Sequence, residues 1–247
     1  MCTVTWIYRQ DGYTLFCNRD EKHTRAEAAS PRLYHAKGVR FIAPVDGEAG
    51  GTWLVTNEYG VTCCLLNGPA PRTNRQSNPV SRGLLVLGLA GSRSVRMAFE
   101  HLRRLDLGRF APFVLAVLEP AGSATVIEWN RELRIGRYAG KGAGLLASSS
   151  VDAESVCLSR EAELARLSNV SGLTGEDLLL EFHRSHRNGP SAHSPCMHRL
   201  DARTVSLSRV RVTPREIEFR YEAGSPCLSG PSETKGLPRV AKGGLEE

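Results

Sequence analysis

The chain has 247 residues, of which 41% are hydrophobic, and this is enough for one well-buried domain. Its formal net charge is +6, but the arginines are scattered along the chain and aromatic residues make up only 6%. A nucleic-acid-binding protein concentrates basic charge on one face and adds aromatic side chains, so we expect no nucleic-acid partner. The longest apolar run, residues 84–90, is far shorter than the ~20 residues that a membrane-spanning helix needs, so we expect no membrane span.

The beginning of the chain lacks the pattern of a secretory signal, because its apolar residues alternate with polar ones and charged residues follow at once. The cysteine count is seven. An odd count is typical of free thiols in a reducing compartment rather than of a disulfide framework. We therefore predict a cytoplasmic location.

The first part of the chain is predicted to form strand pairs. Residues 3–8 and 13–16 are rich in β-branched and aromatic side chains, and they flank Asp11-Gly12. The Asp-Gly dipeptide is typical of a two-residue hairpin turn. A second strand pair is predicted at residues 51–56 and 61–66.

Helices and further strands are predicted in the remainder. Ser94 can cap a helix that runs to Arg104, because apolar residues follow it with helical spacing. The other predicted elements are helices at 81–90, 153–168 and 174–184, and strands at 112–118, 124–129, 132–138, 203–212 and 215–222.

This order of elements favours an α+β fold in which the two ends of the chain pair in a common sheet. A layered sandwich of antiparallel sheets between helices fits the order. We predict a single domain over residues 1–228. The Gly-, Pro- and Ser-rich residues 229–247 are predicted to be a disordered tail.

Cys2 is the first candidate for chemistry. Removal of Met1 is efficient before a small side chain, and it would give Cys2 an α-amine beside its thiol. The reference pKa values, about 7.7–8.0 for the amine and about 8.5 for the thiol, are close to working pH. The amine can therefore accept the proton of its own nucleophile.

The predicted hairpin brings Cys2 close to the charged residues 18–23. If the Asp-Gly dipeptide forms the turn, Cys2 lies opposite Glu21 and Thr3 lies opposite Asp20. A shift of one residue in register decides whether Glu21 or Asp20 faces the thiol. Either carboxylate could hold the terminal ammonium group.

Three segments together resemble a known family: Met-Cys-Thr-Val at residues 1–4, Asn-Arg-Asp-Glu at residues 18–21 with Arg25, and Gly-Gly-Thr-Trp-Leu at residues 50–54. Their order and spacing are similar to those of the NRDE family, also called the transport and Golgi organisation protein 2 family. The resemblance extends to about residue 228. It implies an N-terminal-nucleophile hydrolase-like fold with four layers in the order αββα.

More distantly, the chain resembles the choloylglycine hydrolase and penicillin acylase group, which begins Met-Cys-Thr and ends its second strand in Asn-x-Asp. This resemblance favours Asp20 as the acid that faces Cys2. It also implies that Asn67 helps to form an oxyanion hole. A second asparagine of that group is matched here by the serine-rich residues 147–152, so the second oxyanion contact departs from the group's pattern.

Two arginines are candidates for charge support in the site. Arg19 belongs to the Asn-Arg-Asp-Glu segment, and the group's late arginine corresponds to Arg203, with Arg199 as the alternative. Either Arg19 or Arg203 is expected to lower the pKa of the Cys2 thiol.

These residues support two hypotheses of different classes. The first is a cysteine amidohydrolase or acyltransferase that acts on a small amide or thioester. The second, implied by the NRDE resemblance, is a carrier that handles haem or lipid on the same fold without turnover. We expect no resident cofactor, with haem only as a ligand of the carrier; the sequence gives no oligomeric state.

A group of histidines near a cysteine could bind zinc. It comprises His183, His186, His193, Cys196 and His198. Their spacing matches no standard zinc finger, and histidine is common at the ends of helices. The sequence therefore favours a solvated loop over a metal centre.

Overall fold

A computed structural model describes residues 2–69, 80–138, 143–170, 172–187, 189–228 and 230–241. These residues contain four α-helices, α1 (Arg82–Leu89), α2 (Val95–Arg103), α3 (Ala153–Val170) and α4 (Gly175–Arg184). Their strands are β1 (Cys2–Arg9), β2 (Gly12–Lys22), β3 (Ala29–Ala36), β4 (Val39–Val45), β5 (Leu54–Asn57), β6 (Thr62–Asn67), β7 (Phe113–Leu118), β8 (Ala124–Trp129), β9 (Leu133–Tyr138), β10 (Gly144–Ala147), β11 (Ala202–Val212), β12 (Glu216–Ala223) and β13 (Ser232–Pro238). None of the described helices is both long and apolar enough to cross a membrane.

The strands form two antiparallel sheets that pack face to face. The first sheet has the order β10-β1-β2-β11-β12-β13, and the second runs from β3 to β9 in chain order. Apolar side chains of both sheets form the core between them, with Trp6, Leu15, Leu54 and Leu66 among its members. Strands from the two ends of the chain, β2 and β11, pair in one sheet, which confirms that prediction.

The helices cover the outer faces of the two sheets. Helices α1 and α2 pack on the second sheet through Leu85, Leu89 and Leu102. Helices α3 and α4 pack on the first sheet, where Leu164 and Phe182 belong to a separate apolar cluster. The result is the predicted α+β sandwich with layers in the order αββα.

Strand β2 is buried on both of its faces, because one face meets the other sheet and the opposite face meets the helices. Leu15 and Cys17 belong to the core between the sheets, whereas Phe16 belongs to the cluster beneath the helices. Since side chains alternate along a strand, neighbouring residues of β2 lie in different layers of the protein. This alternation controls where the charged residues 19 and 20 point.

The register of the first hairpin differs from the predicted one. Cys2 pairs with Arg19 rather than Glu21, and Arg9 pairs with Gly12. The turn residues are therefore Gln10 and Asp11, and Asp11 adopts a positive φ of 55°. Gly12 instead begins β2, where an added Cβ would lie 2.1 Å from the carbonyl oxygen of Val212. The glycine is needed for close approach to β11 and not for the turn.

The prediction of a disordered tail from residue 229 is wrong for residues 232–238. These residues form β13, which pairs with β12 along its length. Leu237 is buried beside Ile217 in the core between the sheets, and this burial explains why the segment is ordered despite its composition. The boundary of the folded region therefore lies beyond residue 228. Residues 242–247 lie outside the described residues.

We expect Leu237→Ala to lower the free energy of unfolding by about 2–5 kcal/mol, because it removes a buried side chain and leaves a cavity. Chemical denaturation followed by circular dichroism measures this change. Lys235→Ala is the matched control on the same strand, because the Lys235 side chain is 45% exposed and its loss should change stability by about 0.5 kcal/mol or less. Equal stability of the two variants would contradict the assignment of β13 to the core.

Candidate active site

Cys2 and Asn67 line the same cavity, which has a volume of about 280 Å³. Cys2 begins β1 in the first sheet, and Asn67 ends β6 in the second sheet. The cavity thus lies between the two sheets, where β1 begins and β6 ends. Arg19, Trp53 and Arg82 also line it. The structure therefore brings together three of the five predicted site residues, namely Cys2, Arg19 and Asn67.

The thiol of Cys2 lies in an apolar environment beside other thiols. Cys2 is 6% exposed, and it shares the core between the sheets with Cys17 and Cys64, whose sulfur atoms are 3.6 Å apart. The contact with the Cys17 thiol and the burial raise the pKa of Cys2 well above its ordinary value. The expectation that Arg19 or Arg203 lowers this pKa does not agree with this environment. This environment favours the protonated form of the Cys2 thiol.

The backbone of Cys2 is held by Ser148, which follows strand β10. The Cys2 nitrogen donates a hydrogen bond to Ser148 Oγ at 3.1 Å, and the Ser148 nitrogen donates to the Cys2 carbonyl oxygen at 3.0 Å. Ser148 is the only residue of the serine-rich segment 147–152 that is buried. The hydroxyl of Ser148 therefore contacts the backbone of Cys2 on both its nitrogen and its carbonyl oxygen.

Arg19 is tied to a carboxylate from the other sheet. Its guanidinium donates to Asp46, which follows β4, and lies 4.4 Å from the ring centre of Trp53. Arg25 binds the same carboxylate through two hydrogen bonds of 2.8 and 2.9 Å. Burial alone would raise the pKa of Asp46, but the hydrogen bonds from Arg25 and from the Ala49 amide hold it below its usual range. Glu21 lies 3.4 Å from Arg19, so that Asp46 and Glu21 together neutralise the charge of Arg19.

Arg82 is a cation of the cavity that the sequence analysis missed. It is the first residue of α1, and its Nη1 donates to the carbonyl oxygen of Pro112 at 2.8 Å. Among the described residues, the Glu21 carboxylate on the cavity wall is paired with Arg19 and Arg25 and not with Arg82. Burial lowers the pKa of Arg82, and a nearby negative charge on Cys2 or Glu21 would raise it. Arg82 is thus placed to attract an acidic group into the cavity.

Asp20 lies on the opposite face of β2 from the cavity. Thr204 Oγ1 donates to its carboxylate at 2.6 Å, and Arg160 of α3 lies 3.7 Å from the other carboxylate oxygen. Burial raises the pKa of Asp20, and the charge of Arg160 opposes that shift. The Asp20 side chain therefore lies in the layer beneath the helices, on the other face of the strand from the cavity, but its negative charge still helps to raise the pKa of the Cys2 thiol. A role for Asp20 in the site stays a prediction.

Arg203 and Arg199 both lie away from the Cys2 cavity. Arg203 pairs with Glu21 across β2 and β11, is exposed, and lines an adjoining cavity together with Arg19. Arg199 forms an ion pair with Asp201 at 2.8 Å. Of these two arginines, only Arg203 lines a described cavity together with a residue of the candidate site, Arg19.

Of the two buried or cavity-lining arginines that the sequence analysis missed, one could have been predicted from its position in the sequence. Arg160 falls on the buried stripe of α3 between Val156 and Leu164, and a charge in an apolar stripe indicates a buried partner. Arg82 follows Ser81, whose side chain caps α1, but nothing in its neighbours points to Cys2. Its proximity depends on how α1 packs on the second sheet.

His183 does not belong to the histidine group proposed from the sequence. It is fully buried on α4, and its Nε2 is 2.9 Å from Thr5 Oγ1 on β1. Burial, together with the positive charge of Arg160, lowers the pKa of His183 to about 3. The residue is a neutral member of the interface between the helices and the first sheet.

Comparisons with known proteins agree with the fold and the family resemblance. Residues 1–172 match the profile of the family described as Transport and Golgi organisation 2. No match was found among curated proteins.

Solved structures with the same fold include two variants of a conjugated bile acid hydrolase from Clostridium perfringens. A mutant of that enzyme with alanine in place of a cysteine has a TM-score of 0.54 at 11% identity, over 96% of this chain and 92% of that one. A variant with leucine in place of an arginine has a TM-score of 0.52 at 10% identity, over 99% and 100%. An N-acylethanolamine-hydrolyzing acid amidase ortholog from Caenorhabditis elegans has a TM-score of 0.53 at 11% identity, over 84% and 91%. At these identities the likeness establishes the fold, which is that of the N-terminal-nucleophile hydrolases.

The lowered pKa of His183 predicts a loss of stability as the pH falls. Between about pH 6.5 and pH 3 the unfolded chain binds a proton at this histidine and the folded chain does not, so unfolding is favoured by about 1.4 kcal/mol per pH unit. We expect His183→Gln to remove this contribution and to flatten the dependence of the unfolding free energy on pH. The exposed histidine variant His193→Gln is the control. Parallel pH profiles for wild type and His183→Gln would refute the assignment.

Proposed function

We propose that this chain, which belongs to the transport and Golgi organisation 2 family, is an N-terminal-cysteine amidohydrolase or acyltransferase. The proposed substrate is a small amide or thioester. The observation that carries the proposal is the cavity that Cys2 of β1 shares with Asn67 of β6 and Arg82 of α1. The cavity therefore contains a nucleophile, an amide donor and a cation. The fold is common to enzymes of this type, but the function has to be argued from the site.

The first step of the proposed reaction is activation of Cys2 by its own amine. Removal of Met1 converts the Cys2 nitrogen into an α-amine, and Ser148 Oγ is already within hydrogen-bond distance of that nitrogen. The neutral amine takes the thiol proton, so that the negative charge on sulfur forms beside an ammonium group. The sulfur then attacks the carbonyl carbon of the substrate.

The second step depends on a donor for the oxyanion. In the proposed role, the Asn67 side-chain amide donates a hydrogen bond to the developing negative oxygen, and such a donor contributes about 2.7–4 kcal/mol to transition-state stabilisation. The bond from carbon to the leaving nitrogen or sulfur breaks, and the leaving group takes the proton from the ammonium. Water, or an acceptor amine in a transferase, then attacks the thioester and releases the free thiol.

The size and charge of the cavity support a small acidic substrate. A volume of about 280 Å³ lies near the lower limit of the ~300–1,000 Å³ typical of small-molecule sites. Arg19 and Arg25 are neutralised by three carboxylates, whereas Arg82 is bound to a carbonyl oxygen. The three carboxylates are those of Glu21, Asp46 and Glu48. We therefore propose that a carboxylate or another acidic group of the substrate binds Arg82. Free thiols at Cys2 and its neighbours suit the reducing cytoplasm that we predict.

The second candidate function is a carrier that binds haem or lipid without turnover. The raised pKa of the Cys2 thiol favours it, because a protonated thiol is a poor nucleophile. The alanine and serines at residues 147–150, in place of the asparagine of the distant enzyme group, favour it as well. In this case Cys2 would be a binding residue. The two candidates differ in whether the thiol becomes reactive after Met1 is removed.

Reactivity of Cys2 towards an electrophile tests the proposal. In the processed chain, treated with a chelator so that no metal shields other thiols, we expect iodoacetamide to alkylate Cys2 at least ~10-fold faster than Cys227 at pH 7.5, because one unit of pKa depression raises the thiolate fraction about tenfold. Intact-mass measurement first establishes that Met1 is absent. Peptide mapping by mass spectrometry then gives the rate at each cysteine.

The matched control is the same chain with an uncleaved N-terminal tag, in which Cys2 has an amide in place of the amine. We expect its Cys2 to react at least ~10-fold more slowly than in the processed chain. Retention of Met1 in the native protein, or equal rates with and without the tag, would rule out the enzyme. Slow labelling together with stoichiometric haem binding that Cys2→Ala abolishes would support the carrier.

Ser148 offers a second test that needs no substrate. We expect Ser148→Ala to lower the pKa of the α-ammonium by about one unit or more, since a hydrogen bond to a charged group contributes about 1.5–3 kcal/mol. The amine step in the pH profile of Cys2 alkylation then moves to lower pH. Ser149→Ala is the control, because Ser149 Oγ bonds to the Val151 carbonyl oxygen instead. An unchanged profile for Ser148→Ala would show that this hydroxyl does not support the amine.

A further inference from the structure

Four potential metal ligands from three chain segments converge at the end of the first sheet. His186 follows α4, Cys196 and His198 lie in the loop before β11, and Cys227 follows β12. One ligand atom each from His186, His198 and Cys227 lie within 4.8 Å of one another. Cys196 Sγ and Cys227 Sγ lie 3.5 and 3.4 Å from the same atom, His198 Nε2. The cluster is separate from the Cys2 cavity, because none of its members lines that cavity.

These separations match the geometry of a tetrahedral zinc site. With Zn–S and Zn–N bonds of about 2.3 and 2.05 Å, a tetrahedral centre holds each sulfur about 3.5 Å from each nitrogen. The two distances from His198 Nε2 have this value before any metal is added. The His186 ring is edge-on to the His198 ring, with 5.6 Å between ring centres. The remaining ligand, His186, has a ligand atom within 4.8 Å of those of His198 and Cys227, and an inward movement of its ring would complete the tetrahedron.

The loop that carries Cys196 and His198 is fixed by backbone hydrogen bonds. The Cys196 nitrogen donates to the Ser185 carbonyl oxygen at 3.0 Å, and the Thr204 nitrogen donates to the Met197 carbonyl oxygen at 2.9 Å. The Met197 nitrogen in turn donates to Thr204 Oγ1 at 2.8 Å. The ligands therefore sit on a preorganised scaffold, and binding needs little ordering of the chain.

The exposure of the ligands also suits a metal ion. His186, His198 and Cys227 are partly exposed, so an ion can enter from solvent, whereas Cys196 is fully buried at the inner side.

We propose that His186, Cys196, His198 and Cys227 bind one Zn²⁺ ion in a structural site. The ion forms two bonds to sulfur and two to imidazole nitrogen, and the two thiols release two protons to solvent, so the filled site is neutral. Four protein ligands leave no open position for substrate, so the ion stabilises the fold rather than reacting. It would join the end of α4, the loop before β11 and the segment after β12.

Zinc addition to the full chain tests the proposal. The protein is treated with a chelator, dialysed, kept reduced with a phosphine and titrated with ZnCl₂. We expect one equivalent of zinc per chain by elemental analysis and a rise of the melting temperature. Cobalt(II) in place of zinc should give visible bands of a tetrahedral ion and thiolate-to-metal absorption in the near ultraviolet, with an intensity that corresponds to two thiolates.

Variants of single ligands then locate the site. Loss of a supporting residue outside the ligands typically weakens metal binding by 10–100-fold, so loss of a ligand in Cys227→Ser or His198→Ala should weaken it by roughly 100-fold or more. His193→Ala is the matched control, because His193 comes from the same loop but bonds to Ser155 Oγ. Its zinc binding should equal that of the wild type. The cobalt spectrum of the wild type remains decisive if a ligand variant fails to fold.

Four outcomes would overturn the site. One is the absence of stoichiometric zinc binding by the reduced wild-type chain. Another is a cobalt spectrum without thiolate absorption, and a third is equal binding by Cys227→Ser and His193→Ala. A disulfide between Cys196 and Cys227 that persists in the reduced preparation, with no metal bound, would likewise contradict a metal site.

Discussion

Buried charge on both faces of strand β2 is the constraint on which the rest of the structure depends. Arg19 points between the sheets and Asp20 points towards the helices, and an unpaired charge at either depth would cost several kcal/mol. Asp46 from the second sheet neutralises Arg19, and Arg160 from helix α3 lies beside Asp20. Arg19 and Asp20, which are adjacent in β2, thus fix the positions of the two sheets and of the layer that contains α3 relative to one another. The cavity that contains Cys2 lies where the first of these pairs joins the two sheets.

Much of the fold could be predicted from the sequence, because local patterns determine it. The Ser94 cap of α2 and the apolar spacing of the helices are local features, and the structure confirms them. The register of the first hairpin could not be read in this way. The Asp-Gly dipeptide was interpreted as the turn, but Gly12 is required by the approach of Val212, which is distant in sequence. The sequence analysis did not predict four of the strands, β3, β4, β10 and β13. These segments form strands because they pair with neighbouring strands, and their own composition does not indicate a strand.

The candidate site, like the fold, could be predicted from the sequence only in part. The sequence motifs around Cys2 and the motif that contains Asn67 resemble known families, and they identified these two residues, which do line the same cavity. The side of the strand on which Asp20 lies was not predicted, because the resemblance gave the residue type but not its face. Arg82 and Ser148 reach Cys2 only after α1 has packed on the second sheet and β10 has paired with β1. Such contacts carry no signal in a single sequence.

The state of the Cys2 thiol depends on which charges surround it. While an amide precedes Cys2, burial beside Cys17 keeps the thiol protonated, since a lone thiolate would be a buried charge. An α-amine at the same nitrogen changes this balance, because the proton then moves from sulfur to nitrogen within one residue and the resulting charges offset each other. Removal of Met1, and not a neighbouring arginine, is therefore the step that would produce the nucleophile. Arg82, which is bound to the Pro112 carbonyl oxygen rather than to a carboxylate among the described residues, would then be available to bind an acidic group of the proposed substrate.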